Sequence, residues 1–309
     1  MTYHTPVLLE EVVAQLQPRS GGLYVDCTVG GGGHAEGILR ASAPEGRVIG
    51  LDCDDEALAA SRERLAAHEG RVQLLHANFA ELQETLMSLG VTAVDGLVFD
   101  VGVSSRQFDE PSRGFSFQRE GPLDMRMNRA AGPAAADVLR EASVEELTRI
   151  FRVYGEERRA RAIAQRIDRE RARQPITTTT QLASLVEQVL GPKRGGGIHP
   201  ATRVFQALRI QVNRELENLQ RGLVGAVNVL RAGGRLAVIS FHSLEDRIVK
   251  QFFVRLSTGC VCPPQLVGCA CGRQEVLRLV TRKPVMSTSE EVGRNPRARS
   301  AKLRVAEKI

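Results

Sequence analysis

Several kinds of segment are missing from this chain of 309 residues. No apolar run approaches the roughly 20 residues that span a bilayer, so no helical membrane anchor is expected. The opening MTYHTPVLLEEVV lacks a basic stretch followed by an apolar core. No secretory signal is therefore expected, and the expected location is cytoplasmic. Low-complexity tracts and internal repeats are also absent, which sets aside fibrous and solenoid architectures. The six cysteines, in such a compartment, should be reduced thiols.

What is present suits a globular protein with a sizeable core, at 42% hydrophobic residues. Net charge is +6, unevenly spread. Residues 149–173 hold nine arginines against Glu156, Glu157, Asp168 and Glu170, a net of +5. Residues 293–309 hold six cations against Glu307 alone, again +5. Two dense basic segments fit a polyanionic partner such as nucleic acid.

Short apolar runs, LYVDC (residues 23–27), RVIGLD (47–52), VQLLH (72–76) and GLVFDV (96–101), alternate with helical patterns. In DDEALAASRERLAAHE, Asp54 can cap the helix while Asp55 and Glu56 complement its dipole. This alternation predicts an α/β fold with a parallel, doubly wound, Rossmann-like sheet. RLAVISF (235–241) is the next strand, followed by a helix in SLEDRIVKQFF where Ser243 and Asp246 have capping-box spacing. EVLRLVT (275–281) and SAKLRVAE (300–307) read as a final pair of strands. Between Asp100 and Arg235 lie 134 residues, far more than one crossover needs. FRVYGEERRARAIAQRI and QLASLVEQVL are helical patterns, and apolar residues recur at steps of three or four from Val204 to Leu230. The expectation is an inserted α-helical domain at residues 108–212 and a discontinuous sheet domain at 1–107 and 213–309.

The stretch DCTVGGGGHAEG (26–37) joins the first strand to the next helix, where ligands of such sheets bind. Gly30, Gly32 and Ala35 fit a dinucleotide fingerprint loosely, with Asp52 placed for a ribose. Alone, this would suggest an NAD(P)-dependent oxidoreductase. Charge argues otherwise. Asp26, Asp52 and Asp100 all end predicted strands on one rim, where a pyrophosphate would be repelled. S-adenosylmethionine has no phosphate and carries net positive charge, so an acidic rim suits it.

Eight motifs in order give a more specific reading: HTPVLLEEVV, DCTVGGGGH, DGLVFDVGVSSRQFD, RGFSFQREGPLDMRMN, YGEER, HPATRVFQALRIQVNRELE, GGRLAVISFHSLEDRIVK and NPRARSAKLR. Together they resemble the ribosomal RNA small-subunit methyltransferase H family, also called MraW, over nearly the whole chain. The resemblance implies a class I S-adenosylmethionine-dependent sheet that methylates N4 of one cytidine in the decoding region (P site) of 16S ribosomal RNA of the small subunit. It also implies cofactor contacts at Gly32, Gly33, His34, Asp52, Phe79, Asp100 and Gln107.

The chemistry needs an acceptor for the amine N–H groups and a surface for the base. Asp100 is the first candidate acceptor. Many amino-methyltransferases carry D/N/S-P-P-Y/F after the fourth strand, but here the run is Asp100-Val101-Gly102-Val103-Ser104. Phe241, Phe115 or Phe117 could stack on the base, and His242 could orient the amine or take its proton late. Glu245 and Asp246 are expected to cap the helix. His34 is expected to bind rather than to act as an acid or base. The cytidine must be unstacked. Arg158, Arg159, Arg161, Arg166, Arg203, Arg294, Arg297 and Arg299 are candidates for phosphate contacts. Cys260, Cys262, Cys269 and Cys271 form C-x-C-x6-C-x-C, open to tetrahedral zinc or to a plain thiol hairpin. A non-catalytic RNA-binding assembly factor is a further reading, and the sequence leaves the oligomeric state open.

Overall fold

The computed structural model describes residues 6–192, 199–262 and 271–309. Helix α1 (Leu9–Leu16) leads into the alternation β1 (Leu23–Asp26), α2 (Gly33–Ala41), β2 (Arg47–Asp52), α3 (Asp55–Leu65), β3 (Val72–His76), α4 (Leu82–Ser88) and β4 (Val94–Asp100). Asp54 caps α3 as its position suggests, accepting the Glu56 N–H at 3.0 Å. The described residues then form six helices: α5 (Ser105–Asp109), α6 (Ala135–Glu141), α7 (Val144–Val153), α8 (Ala160–Arg171), α9 (Thr179–Leu190) and α10 (Thr202–Asn213). It returns through α11 (Glu215–Val229), β5 (Leu230–Ser240), α12 (Ser243–Leu256), β6 (Leu277–Leu279), β7 (Val285–Met286), α13 (Ser289–Arg294) and β8 (Lys302–Lys308). Two compact units result: Met1–Gly102 with Leu216–Ile309, and Val103–Glu215.

The sheet order is β3-β2-β1-β4-β5-β8-β6, with β7 pairing β8 off that path. Strands β1 to β5 are mutually parallel, whereas β8 runs antiparallel to β5, β6 and β7. Strands buried on both faces need apolar side chains throughout. In β4, Leu97 and Phe99 join one core with Val25, Leu82 and Leu223, while Val98 joins the other with Tyr24, Ile38 and Leu58. Leu236 and Val238 of β5 face the first core, and Ala237 and Ile239 the second. Each fully buried side chain of this size contributes about 1.5–3 kcal/mol.

The second unit has its own core, built on Leu147, Phe151, Ile163, Leu182, Phe205 and Leu208. The structure breaks two helices that periodicity runs straight through. One break separates α7 from α8. Gly155 passes so close to the chain that a Cβ would lie 2.6 Å from the Arg203 carbonyl oxygen, and Glu156 takes φ 49°. The other falls at Arg214, whose φ of 50° ends α10. Asn213 holds that end, donating to the Met125 carbonyl and accepting the Met127 N–H, both at 2.7 Å. Helix α12 begins one residue earlier than the Ser243–Asp246 spacing suggests, because His242 is its cap and Glu245 completes the box.

Candidate cofactor and base site

The carboxyl ends of β1, β2 and β4 bring three aspartates to one edge of the sheet unit. Register sets their depth. Asp26 pairs with Gly50 and Val98, so Asp52 and Asp100 each extend two residues further. Accordingly Asp26 is only 1% exposed, while the Asp100 side chain keeps 25%. Thr28 ties the first and fourth strands together. Its N–H donates to Asp26 Oδ1 at 3.2 Å, and its hydroxyl accepts the Asp100 N–H at 2.7 Å. Asp52 tethers the glycine loop, accepting the Gly30 N–H at 2.9 Å and the Asp54 N–H at 3.0 Å.

Two oxygens are left over. Asp26 Oδ2 and Asp100 Oδ1 are buried with no hydrogen-bond partner among the described residues. Isolated carboxylates out of water resist ionising. Burial, reinforced by Glu245, lifts Asp100 to about 7. Burial also lifts Asp26 to about 6, with His34 and the Thr28 N–H pulling the other way. Asp52 is likewise pushed up to about 6 by burial, against the N–H groups of Gly30 and Asp54. Among the described residues those two oxygens receive neither a cation nor an N–H donor. A sulfonium with an ammonium group supplies both, whereas a pyrophosphate would add to the repulsion. The donor set therefore fits S-adenosylmethionine.

His34 is 4% exposed, behind the rim. Its Nε2 donates to the Val7 carbonyl at 2.9 Å, and Nδ1 lies 3.7 Å from Asp100 Oδ2. Burial lowers its pKa, so the ring is neutral. The turn after β1 needs its glycines for more than one reason. Gly30 and Gly32 adopt φ of 51° and 80°. At Gly33, a Cβ would lie 2.8 Å from the Pro6 ring, so internal packing alone accounts for this glycine. Phe79 is half-buried and meets Phe99 edge-on at 5.5 Å.

On the neighbouring strand, Phe241 follows β5 and passes Gly102, whose added Cβ would sit 3.6 Å from the ring. Glu245 fixes this turn. Its Oε2 accepts the N–H groups of Phe241 and His242 at 2.8 and 3.2 Å. His242 Nδ1 accepts the Glu245 N–H at 3.4 Å, and Nε2 lies 3.0 Å from Glu245 Oε1 but poorly aligned for a hydrogen bond. Asp246 does not serve the cap. It pairs with Arg304 at 2.7 Å and Lys302 at 3.3 Å, clamping α12 to β8.

The remaining candidates lie in the second unit or the tail. Gln107 closes a capping box with Ser104, its Oε1 accepting the Ser104 N–H at 3.0 Å. Phe115 is 5% exposed within the second core, and the half-buried Phe117 packs edge-on against Phe205 at 4.9 Å. Arg158 and Arg159 are exposed and make no ion pair among the described residues. Arg203 is exposed and lies 3.9 Å from Glu157. Arg166 is engaged by Glu170 at 2.7 Å and Gln188 at 3.0 Å, and Arg294 by Glu290. Arg297 is partly buried. Sequence reasoning missed two structural arginines. Arg113, 1% exposed, donates to the Arg126 and Met127 carbonyls. Arg171 donates to three carbonyls at the end of α6, those of Leu139, Arg140 and Ala142. Among the cysteines, Cys269 lies outside the described residues.

A β3-β2-β1-β4-β5-β8-β6 sheet with an antiparallel β8, an acidic rim and a glycine turn defines the class: an S-adenosylmethionine-dependent methyltransferase. Comparison with known proteins gives the family. The MraW methylase family matches residues 1–309. The chain is 55% identical over 308 residues to Ribosomal RNA small subunit methyltransferase H of Thermomicrobium roseum, covering 100% of this chain and 94% of that one. It is 53% identical over 308 residues to the protein of the same name from Geobacter sp. strain M21, covering 99% of each. A solved rRNA methylase from Streptococcus thermophilus aligns at 11% identity over 97% of this chain and 93% of the other, with a TM-score of 0.42. The chain belongs to the MraW methylase family. That membership sets aside the nicotinamide-dependent reading.

Proposed function

We propose that this protein methylates N4 of one cytidine in the decoding region (P site) of 16S ribosomal RNA, acting in the cytoplasm on the small ribosomal subunit or its RNA. The observation that carries the reading is the unpartnered Asp100 Oδ1 at the end of β4, next to the strand that Phe241 follows. The names of the similar proteins from Thermomicrobium roseum and Geobacter support the RNA substrate.

A cytosine amine is a poor nucleophile, since its lone pair is delocalised into the ring. Asp100 accepts an amine N–H and stabilises positive charge as it develops on nitrogen. Phe241 stacks on the base. His242, held by Glu245, keeps Phe241 in place and is the second candidate to receive the amine proton. When bound, S-adenosylmethionine supplies an electrophilic methyl carbon on a sulfonium. Gly32 and Gly33 admit its methionine part, Asp52 its ribose and Phe79 its adenine, with Gln107 a further contact. His34 is a positioning residue that backs Asp100. Arg158, Arg159 and Arg203 of the Val103–Glu215 unit, with Arg297 of the tail, bind phosphates, so binding weakens as salt rises.

Mass spectrometry of 16S ribosomal RNA from a strain lacking the gene tests this. N4-methylcytidine should vanish and return with the wild-type gene, but not with Asp100→Ala. Its persistence in the deletion strain would refute the substrate. A protein that binds the subunit yet leaves its RNA unchanged would be an assembly factor instead.

A further inference from the structure

The described residues between α12 and β6, 257–262 and 271–276, carry no helix or strand of their own. Their base is closed by the Val276 N–H, which donates to the Leu256 carbonyl at 2.8 Å. Beyond that base the described side chains are mostly exposed, so an apolar core does not hold those residues. Three thiols gather there instead. The sulfur atoms of Cys260, Cys262 and Cys271 all lie within 4.8 Å of one another.

We propose that Cys260, Cys262 and Cys271 bind a structural zinc ion through three thiolates. The spacing between sulfurs carries the argument. Cys260 Sγ and Cys271 Sγ are 3.8 Å apart. A disulfide would bring them to about 2.05 Å. Two thiolates on one tetrahedral zinc, each with a bond of about 2.3 Å, stand about 3.8 Å apart. A second feature points the same way. The Cys262 N–H approaches Cys260 Sγ at 3.4 Å, so a hydrogen bond from within the cluster already orients that sulfur. Soft thiolates select zinc over magnesium or calcium. Binding releases the thiol protons to solvent, and the metal–sulfur bonds tie residues 260–262 to Cys271.

The ion has a structural consequence next to α12. Arg273, two residues after Cys271, lines a recess of about 300 Å³ with Lys250 and Arg255 of α12. Fixing Cys271 fixes Arg273 beside those two cations. The site lies apart from Asp100 in sequence and chemistry, and the inference stands whether or not the cytidine assignment holds.

Elemental analysis of the full-length protein tests the proposal, after purification without metal-affinity steps and under reducing conditions. About one zinc per chain is expected. Cys260→Ser, Cys262→Ser and Cys271→Ser should each lose it, whereas Cys27→Ala should keep it. Cobalt loaded in its place should show sulfur-to-metal charge-transfer bands of at least three thiolates. On the wild type itself, a mercurial thiol reagent should release zinc in step with the cysteines it modifies, which frees the test from any variant that fails to fold. Zinc-free protein with reduced thiols, a Cys260–Cys271 disulfide, or iron in the site would each overturn the assignment.

Discussion

Replacing Asp100 with asparagine is expected to stabilise the cofactor-free protein above neutral pH while abolishing methyl transfer. Burial and Glu245 raise this carboxyl from an ordinary 3.8 to about 7. The native chain therefore keeps a proton that the unfolded chain has already released, over a window from about pH 4 to about pH 7. Stability contributed by this group is present at the acid end of the window and is lost as pH rises through it. A shift of roughly three units at about 1.4 kcal/mol each sets a ceiling of about 4 kcal/mol. Water entry and relaxation around the ionised group reduce that, and about 2 kcal/mol is expected. Asparagine cannot ionise, so the variant escapes the loss. Urea unfolding of both proteins, stripped of cofactor, should show the variant gaining about 2 kcal/mol on the wild type between about pH 4 and about pH 8.5. The variant should transfer no methyl at either pH. Equal stability differences at the two pH values, or normal turnover by the variant, would refute the role given to Asp100.

Three further outcomes follow from geometry. Gly33→Ala sets a methyl 2.8 Å from the Pro6 ring and should cost about 1–3 kcal/mol, read by thermal melting. Arg304→Ala strips Asp246, 14% exposed, of its bidentate partner and should destabilise by about 3 kcal/mol, with Lys302 offsetting part of the loss and kcat of the folded fraction unchanged. Replacing Arg158 and Arg159 together with glutamine should weaken RNA binding and flatten the salt dependence of log Kd by about 1.4–1.8. An unaltered slope in that filter-binding assay would move the phosphate contacts elsewhere.

The sheet and its rim were legible because each strand is a short apolar run that ends in an acid. Asp26, Asp52 and Asp100 could be placed from that pattern before any coordinates, as could the cap at Asp54. What escaped was set by tertiary contacts. Periodicity carried one helix through residues 151–167, but Gly155 packs on the backbone at Arg203 and splits it. The capping box of α12 starts at a histidine, a residue outside the usual cap set, so the more conventional Ser243 drew attention. Asp246 looked like part of a cap because its partners, Lys302 and Arg304, lie more than fifty residues away. Arg171 counted toward a basic segment, yet the structure spends it on backbone carbonyls, as it does Arg113 outside that segment. Charge density along the chain cannot separate these from the exposed Arg158 and Arg159.

Calorimetric titration of the cofactor-free protein with S-adenosylmethionine, repeated near pH 6.5 in buffers of different ionisation enthalpy, reads whether the rim gives up protons as it takes the cation. The half-protonated rim of Asp26, Asp52 and Asp100 should ionise against the cation, so binding should release protons and tighten as pH rises toward 8. Binding without proton release, or a preference for a phosphate-bearing dinucleotide in the same cleft, would contradict the account.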